Sequence, residues 1–367
     1  MTQHRMYNRQ SGWLVVLVLG ISSLLGVDWM SQTIEAAPQA VITVNFSGDV
    51  LADDGFCSLR EAITAANTDS PSGTLPGECA AGSGVDTIVV TTGKPSGFIF
   101  LSISGAFEGD NATGDLDITS SMTISSTPDI VLNVDQQIDR AFDIFLGATV
   151  TISGLTIQGG STPANSIDGE PGGAIRNQGD LTLTESMLNA NRTAPGRNID
   201  IPASAAGNGG SGGATYSAGV GASLTIIDSI ITSNIAGNGG DCEVFDCRSG
   251  AGGSGGGIYA SGLLTIQNSI ITNNQAGHSG VNLDEGSYGG GDGGGIAVEG
   301  ATVFISATSV YSNAAGASNP SGLPIAIVGN AGDGGGIFAG GNALIKRSTI
   351  SGNTTQSDET FALGGGI

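Results

Sequence analysis

A right-handed parallel β-helix, preceded by a small helix-containing cap, is the fold that this sequence predicts. Three observations carry it. One phrase returns about every 40 residues down the second half of the chain. Within each phrase apolar and polar residues alternate. A single stretch, early in the chain, carries an apolar stripe at helical spacing.

Composition narrows the field. Glycine supplies 63 of 367 residues, charged residues are 12% and aromatic residues 5%. Glycine is far above its usual share of roughly 7%, but shows no three-residue period, which excludes collagen. Hydrophobic residues, at 39%, recur in ordered strings, which argues against wholesale disorder. Lys plus Arg number 11 against 33 for Asp plus Glu, a formal charge of −22. Nucleic-acid and anionic-lipid binding need clustered cations, so no nucleic-acid partner is expected.

The first element is a targeting segment, residues 1–40. Arg5 and Arg9 precede an apolar run from Trp13 to Val27, the length of an export-signal core and short for a spanning helix. Ala36, Ala37 and Ala40 offer small residues for cleavage, while Glu35 and Pro38 spoil the best −3 positions, so an uncleaved anchor stays open beside a signal peptide. No other stretch reads as membrane-spanning. Four cysteines, an even number in an exported chain, favour disulfides, paired as Cys57/Cys79 and Cys242/Cys247. A metal site is the weaker alternative. Neither pair has CxxC spacing, and His278 is the one histidine beyond the targeting segment.

Residues 41–90 form the cap. Val41–Asn45 (VITVN) reads as a strand. Ser58 is a helix N-cap, and Leu59, Ala62, Ile63 and Ala66 make one apolar face at i, i+3, i+4 and i+7. A Cys57–Cys79 bond would pin this helix over the first coil. Val85–Val90 begins the solenoid.

Residues 91–367 are the solenoid. Gly-Gly-X-Ile-type starts stand at Gly172, Gly212, Gly255, Gly293, Gly334 and Gly364. Each is followed by an alternating segment, such as LTIIDSIITSN from Leu224, that closes on an asparagine. Those asparagines are Asn191, Asn234, Asn274, Asn313 and Asn353, spaced by 43, 40, 39 and 40 residues. Pairs such as Leu181/Leu183, Leu224/Ile226 and Leu264/Ile266 point inward, and Thr182, Thr225, Thr265, Phe304 and Leu344 point outward. Dense glycine and period two exclude helical repeats. One coil per unit then stacks like on like at about 4.8 Å. The asparagines form a polar ladder at the bends, beside Ser186, Ser229, Ser269, Thr308 and Ser348. The segments after each asparagine, Ala194–Gly210, Ala236–Ser254 and Ala276–Gly293, read as variable surface loops. Phe98–Ile103, Leu116–Ile124 and Phe142–Ile157 read as earlier, less regular coils. The chain stops as a sixth unit begins, so the solenoid is expected to be truncated.

The Cys57–Ile63 heptad (CSLREAI), after Ala52-Asp53-Asp54-Gly55 and before Ala65-Ala66-Asn67-Thr68, resembles the N-terminal domain named for its CSLREA signature. The repeats resemble those of polymorphic outer-membrane, autotransporter-like adhesins and of pectate-lyase-like β-helices generally. The first resemblance covers roughly residues 41–90 and the second about 147–367. They imply a bacterial exported protein, secreted or on the cell surface, and no single reaction.

Catalytic motifs are weak. Ser211 and Ser254 sit in G-x-S-x-G, but neither has the following helix that a nucleophile elbow needs, and His278 is the one base on offer. The G-x-G-x-x-G at Gly207–Gly212 lacks a dinucleotide-binding unit. The lyase resemblance implies Ca²⁺ held by outward carboxylates with an Arg or Lys base. The outward position after each start holds Arg176, Tyr216, Tyr259, Ala297 and Phe338, without a carboxylate. No catalytic residue is therefore assigned, and no cofactor is required. Ca²⁺ on Asp110, Asp115 and Asp117, or on Asp284 and Glu285, is the alternative to plain solubility charge.

The expected function is non-catalytic: an adhesin-like protein or structural stalk that presents glycine-rich loops, with a glycan or a surface protein as partner. Tyr259, Phe338 and Phe304 are its candidate outward contacts. The rival expectation is a polysaccharide lyase or glycoside hydrolase.

Overall fold

The structure, a computed structural model, describes residues 39–91, 97–134, 139–164, 166–202, 204–282, 288–318, 330–356 and 366. Residues 1–38, where the sequence leads one to expect a targeting segment, and Asp284 and Glu285, lie outside them. The described chain is an all-β parallel solenoid with one helix.

Two parallel sheets run along the solenoid. Seven short strands make one: Leu116–Ile118, Phe142–Ile144, Ile175–Asn177, Thr215–Ser217, Ile258–Ala260, Ile296–Val298 and Ile337–Ala339, each beside its predecessor. The other has 15 strands, including the segments that the alternation predicts, such as Ser223–Ile227 and Ile230–Thr232. Leu181, Leu224, Leu264 and Val303 pair in one register row, and Leu188, Ile231, Ile271 and Val310 in another. All are buried. Burying each such side chain is worth about 1.5–3 kcal/mol. The outward residues of the first row are half-buried at Thr182, Thr225 and Thr265, and exposed at Phe304 and Leu344.

The bends recur at fixed points. Glu185, Asp228, Asn268, Ala307 and Arg347 all take left-handed φ, between 50° and 51°, where one short strand turns into the next. Ala190, Ser233, Asn273 and Ser312 repeat this five residues later. Non-glycine residues adopt such φ values rarely, so neighbouring coils must hold them. The asparagine ladder does so. Asn234 Oδ1 accepts from both the backbone N–H and the Nδ2 of Asn191, at 3.0 and 2.9 Å. Asn234 Nδ2 in turn donates to the Leu188 carbonyl, and the pattern repeats through Asn274, Asn313 and Asn353. Ser186, Ser229 and Ser269 form a second ladder.

The segments after the asparagines are not loose. Their outgoing and returning arms alternate in a backbone zigzag: Gly210 N donates to Ala194, Gly237 to Gly210, Gly253 to Gly237, Gly277 to Gly253, Gly291 to Gly277 and Gly316 to Gly291, at 2.8–3.0 Å. Each arm also bonds the same arm of the next coil, as in Gly196 to Asn238 and Gly209 to Ala251. A Cβ on Gly277 would stand 1.8 Å from the Gly237 oxygen. The side-chain-free backbone is thus what lets the arms approach. The segments that read as surface loops thus build a second, hydrogen-bonded lobe on the solenoid.

The helix, Leu59–Thr68, packs on the strands at Val41–Val44, Asp86–Val90 and Leu116–Ile118. Ser58 and Glu61 complete a capping box. Leu59, Ala62, Ile63 and Ala66 are buried, as their spacing predicts. Cys57 is bonded to Cys79, and Cys242 to Cys247.

Candidate functional site

The seven-stranded sheet carries one outward row across its coils: Asp117, Asp143, Arg176, Tyr216, Tyr259, Ala297 and Phe338. Five of these, from Arg176 to Phe338, directly follow the repeated glycine starts, with Tyr216 in register between Arg176 and Tyr259. The two carboxylates stand on earlier strands that have no such start, which is why sequence spacing left them out. The row therefore does contain carboxylates.

Around them the chain assembles a closed acidic cluster. Asp115, Asp117, Asp139 and Asp143 are at most 2% exposed. Arg140 Nη1 donates to Asp115 at 2.9 Å, and Arg176 donates from Nε to Asp143 at 2.8 Å and from Nη2 to its other oxygen. Glu170 lies 3.9 Å from both guanidinium groups. Five carboxylates thus face two arginines. Arg176, placed by the sequence in an outward row without carboxylates, is locked in an ion pair with Asp143.

The segment 102–115 closes the cluster from outside, and Arg60 fastens that segment. Arg60 donates to both oxygens of Asp49, at 2.6 and 3.1 Å, and to the carbonyls of Gly114 and Asp115. Asp49 Oδ2 also accepts from the N–H groups of Ser102 and Ile103. Asn111 N donates to Asp117 Oδ2, and Asn111 Oδ1 accepts from Asp117 N. Arg60 and Glu61 of the helix are thus both buried. Arg60 holds the segment, and Glu61 accepts from Ala52 and Ser58.

The cluster is short of positive charge. Asp117 Oδ1 and Asp139 Oδ2 are buried and find no hydrogen-bond partner among the described residues. Burial, with the neighbouring Asp115 charge, pushes Asp117 up to about 8. Burial and Asp115 raise Asp139 to about 7 against the pull of Arg140. Asp115 is also raised by burial, opposed by Arg140. Oxygens of Asp115, Asp117 and Asp143 lie within 4.8 Å of one another. That donor set, with an orphaned buried oxygen, fits a hard cation. Asp110 is exposed and takes no part, its N–H donating to Glu108.

Farther along the row, Tyr216 and Tyr259 stack with ring centroids 4.9 Å apart. Tyr259 donates its hydroxyl to Glu299 at 2.8 Å. Burial raises both phenols, the Glu299 hydrogen bond adding to it at Tyr259. Ala297 is wholly buried in the same row. Ser211 and Ser254 serve the glycine lobe: each Oγ accepts from a backbone N–H of the next coil, those of Ser254 and Asp292. His278 Nδ1 accepts from Ala317 N, and burial lowers its pKa. Among the described residues no histidine is hydrogen-bonded to either serine. A cavity of about 310 Å³ lies beside the helix, lined by Leu51, Asp53, Glu61, Thr64, Thr68 and Ser72. Its carboxylates are already engaged, Glu61 as above and Asp53 by Thr74 and Leu75.

Among the described residues no helix is long and apolar enough to cross a membrane. No protein-family model, curated protein or solved structure matches the chain.

Proposed function

We propose that this chain is a non-catalytic exported protein: a right-handed β-helix rod that displays its glycine lobe and its Tyr216–Tyr259 edge, as an adhesin or a stalk at a bacterial surface. One observation carries the reading. The acid–base groups of the outward row are shut away, with Asp117 and Asp143 at most 1% exposed and Arg176 committed to Asp143. A cleavage site must bring an acid or base within hydrogen-bond reach of substrate. A polymer lying along this sheet would meet the tyrosines, not the carboxylates. The CSLREA-like heptad and the alanine-rich end of the targeting segment support export, and the repeats support a surface role. The partner would be a glycan or another surface protein.

Incubation of the purified chain with a panel of acidic and neutral polysaccharides, with and without Ca²⁺, tests this. Retention of one or more polymers without new reducing ends or unsaturated products fits an adhesin, and absence of both fits a stalk. Turnover would end the non-catalytic reading.

A second reading has its own observation. Asp117, Asp143 and Arg176 occupy adjacent positions of one outward row, the arrangement that a polysaccharide-cleaving β-helix needs. If turnover appears and Asp143→Asn abolishes it while the fold survives, that reading replaces the first.

A further inference from the structure

We propose that Asp115, Asp117 and Asp143 bind one divalent cation of the Ca²⁺ or Mg²⁺ class, and that this ion fastens the 102–115 segment to the first two strands of the seven-stranded sheet. The role is structural, and it is separate from display at the surface.

Three facts lead there. First, the three side chains bring oxygens within 4.8 Å of one another, and each residue is at most 2% exposed. Second, Asp117 Oδ1 has no hydrogen-bond partner among the described residues, although its other oxygen accepts from Asn111. A buried acceptor left bare is costly, and a carboxylate more so. Third, the charges do not balance. Asp115, Asp117, Asp139 and Asp143, with Glu170 at the edge, face Arg140 and Arg176 alone. A divalent ion offsets most of that excess, and oxygen-only donors suit a hard cation.

The placement says what the ion does. Asp115 ends the covering segment just before the strand Leu116–Ile118, Asp117 lies on that strand, and Asp143 lies on the next, in register with Asp117. Asn111, whose N–H donates to Asp117, belongs to the covering segment, which Arg60 and Asp49 tie to the helix. An ion on Asp117 therefore joins two coils and the segment that covers them.

The full chain, purified without chelator and gel-filtered, is assayed for Ca and Mg by elemental mass spectrometry. Its thermal midpoint is then compared in Ca²⁺, in Mg²⁺ and in EDTA. The expected result is about one equivalent of metal, a midpoint lower in EDTA and restored by the ion. At a hundredfold excess over the dissociation constant the shift should be about 5 °C. Asp117→Asn, which keeps shape and removes the charge, should abolish the shift. Hydrogen exchange at 108–117 should slow with metal in the parent chain, a readout that stands even if the variant fails to fold. Metal-free protein with equal midpoints in all three solutions overturns the proposal. So does a shift that persists in Asp117→Asn, or metal-insensitive exchange at 108–117.

Discussion

Arg176 holds both carboxylate oxygens of Asp143 across 33 positions of sequence, joining two neighbouring coils on the outside of the solenoid. Asp143 is 1% exposed and its partner's side chain 28%. Each partner of the pair is thus engaged by the other.

Removing one partner should cost more than the pair is worth. Arg176→Ala leaves the buried Asp143 carboxylate uncompensated, and urea unfolding should show a loss of about 3 kcal/mol. An Arg176→Ala/Asp143→Ala double variant should recover part of that loss. Equal losses in the single and double variants would mean that the pair contributes packing alone.

The asparagine ladder gives a positional prediction. Asn274→Ala removes the acceptor for Asn234 N and Nδ2 and the donor to the Ile231 carbonyl. Several buried groups lose partners together, so a loss of about 2–4 kcal/mol is expected. Asn268→Ala, at an exposed bend, should cost less than half as much. Denaturant midpoints of the two variants compare them directly.

Thr215 marks an avoidable weakness. It sits in a buried register row with Ile175 and Ile258, and its Oγ1 finds no partner among the described residues. Thr215→Val keeps the branched shape and removes the stranded hydroxyl. A gain of about 1 kcal/mol is expected in the same unfolding assay.

Gly277→Ala should be far more damaging than its single methyl suggests, since the Gly237 oxygen leaves it no room. At Gly300 nothing lies within 4 Å, and only the left-handed φ of 69° opposes alanine, at a cost of about 1 kcal/mol. Soluble yield and thermal midpoint should separate the two variants clearly.

The acidic cluster sets a pH dependence in EDTA. Burial raises Asp117 to about 8 and Asp139 to about 7, against an ordinary 3.8. The folded chain then binds more protons than the unfolded chain between pH about 4 and 8. Their contribution is complete below pH 4 and is lost as pH rises through 7 and 8. Urea midpoints should fall across that window and level above it, and Asp117→Asn should flatten most of the fall.

Much of the fold was legible because stacked coils place like residues on like. Leu224, Leu264 and Val303 declare their row by spacing alone, and so do the closing asparagines. The acidic cluster was only half legible. Asp115 and Asp117 show strand alternation, but Asp143 joins them across irregular coils without the glycine start that aligns the later ones. Arg60 and Asp49 are distant partners with no periodic signature. The hydrogen bonding of the glycine lobe was not legible, for a different reason. Its contacts are between backbones, so no side-chain pattern reports which amide meets which carbonyl.

That lobe has a consequence for resistance to proteolysis. A protease must draw several residues of extended backbone into its own groove, and it competes there for the same amides and carbonyls. At Gly210, Gly237, Gly253 and Gly277 those groups are already engaged with neighbouring arms. Cutting must then wait for a local opening of several coils. A stretch whose composition looks like an easily digested linker should instead outlast ordinary loops in a protease-rich medium.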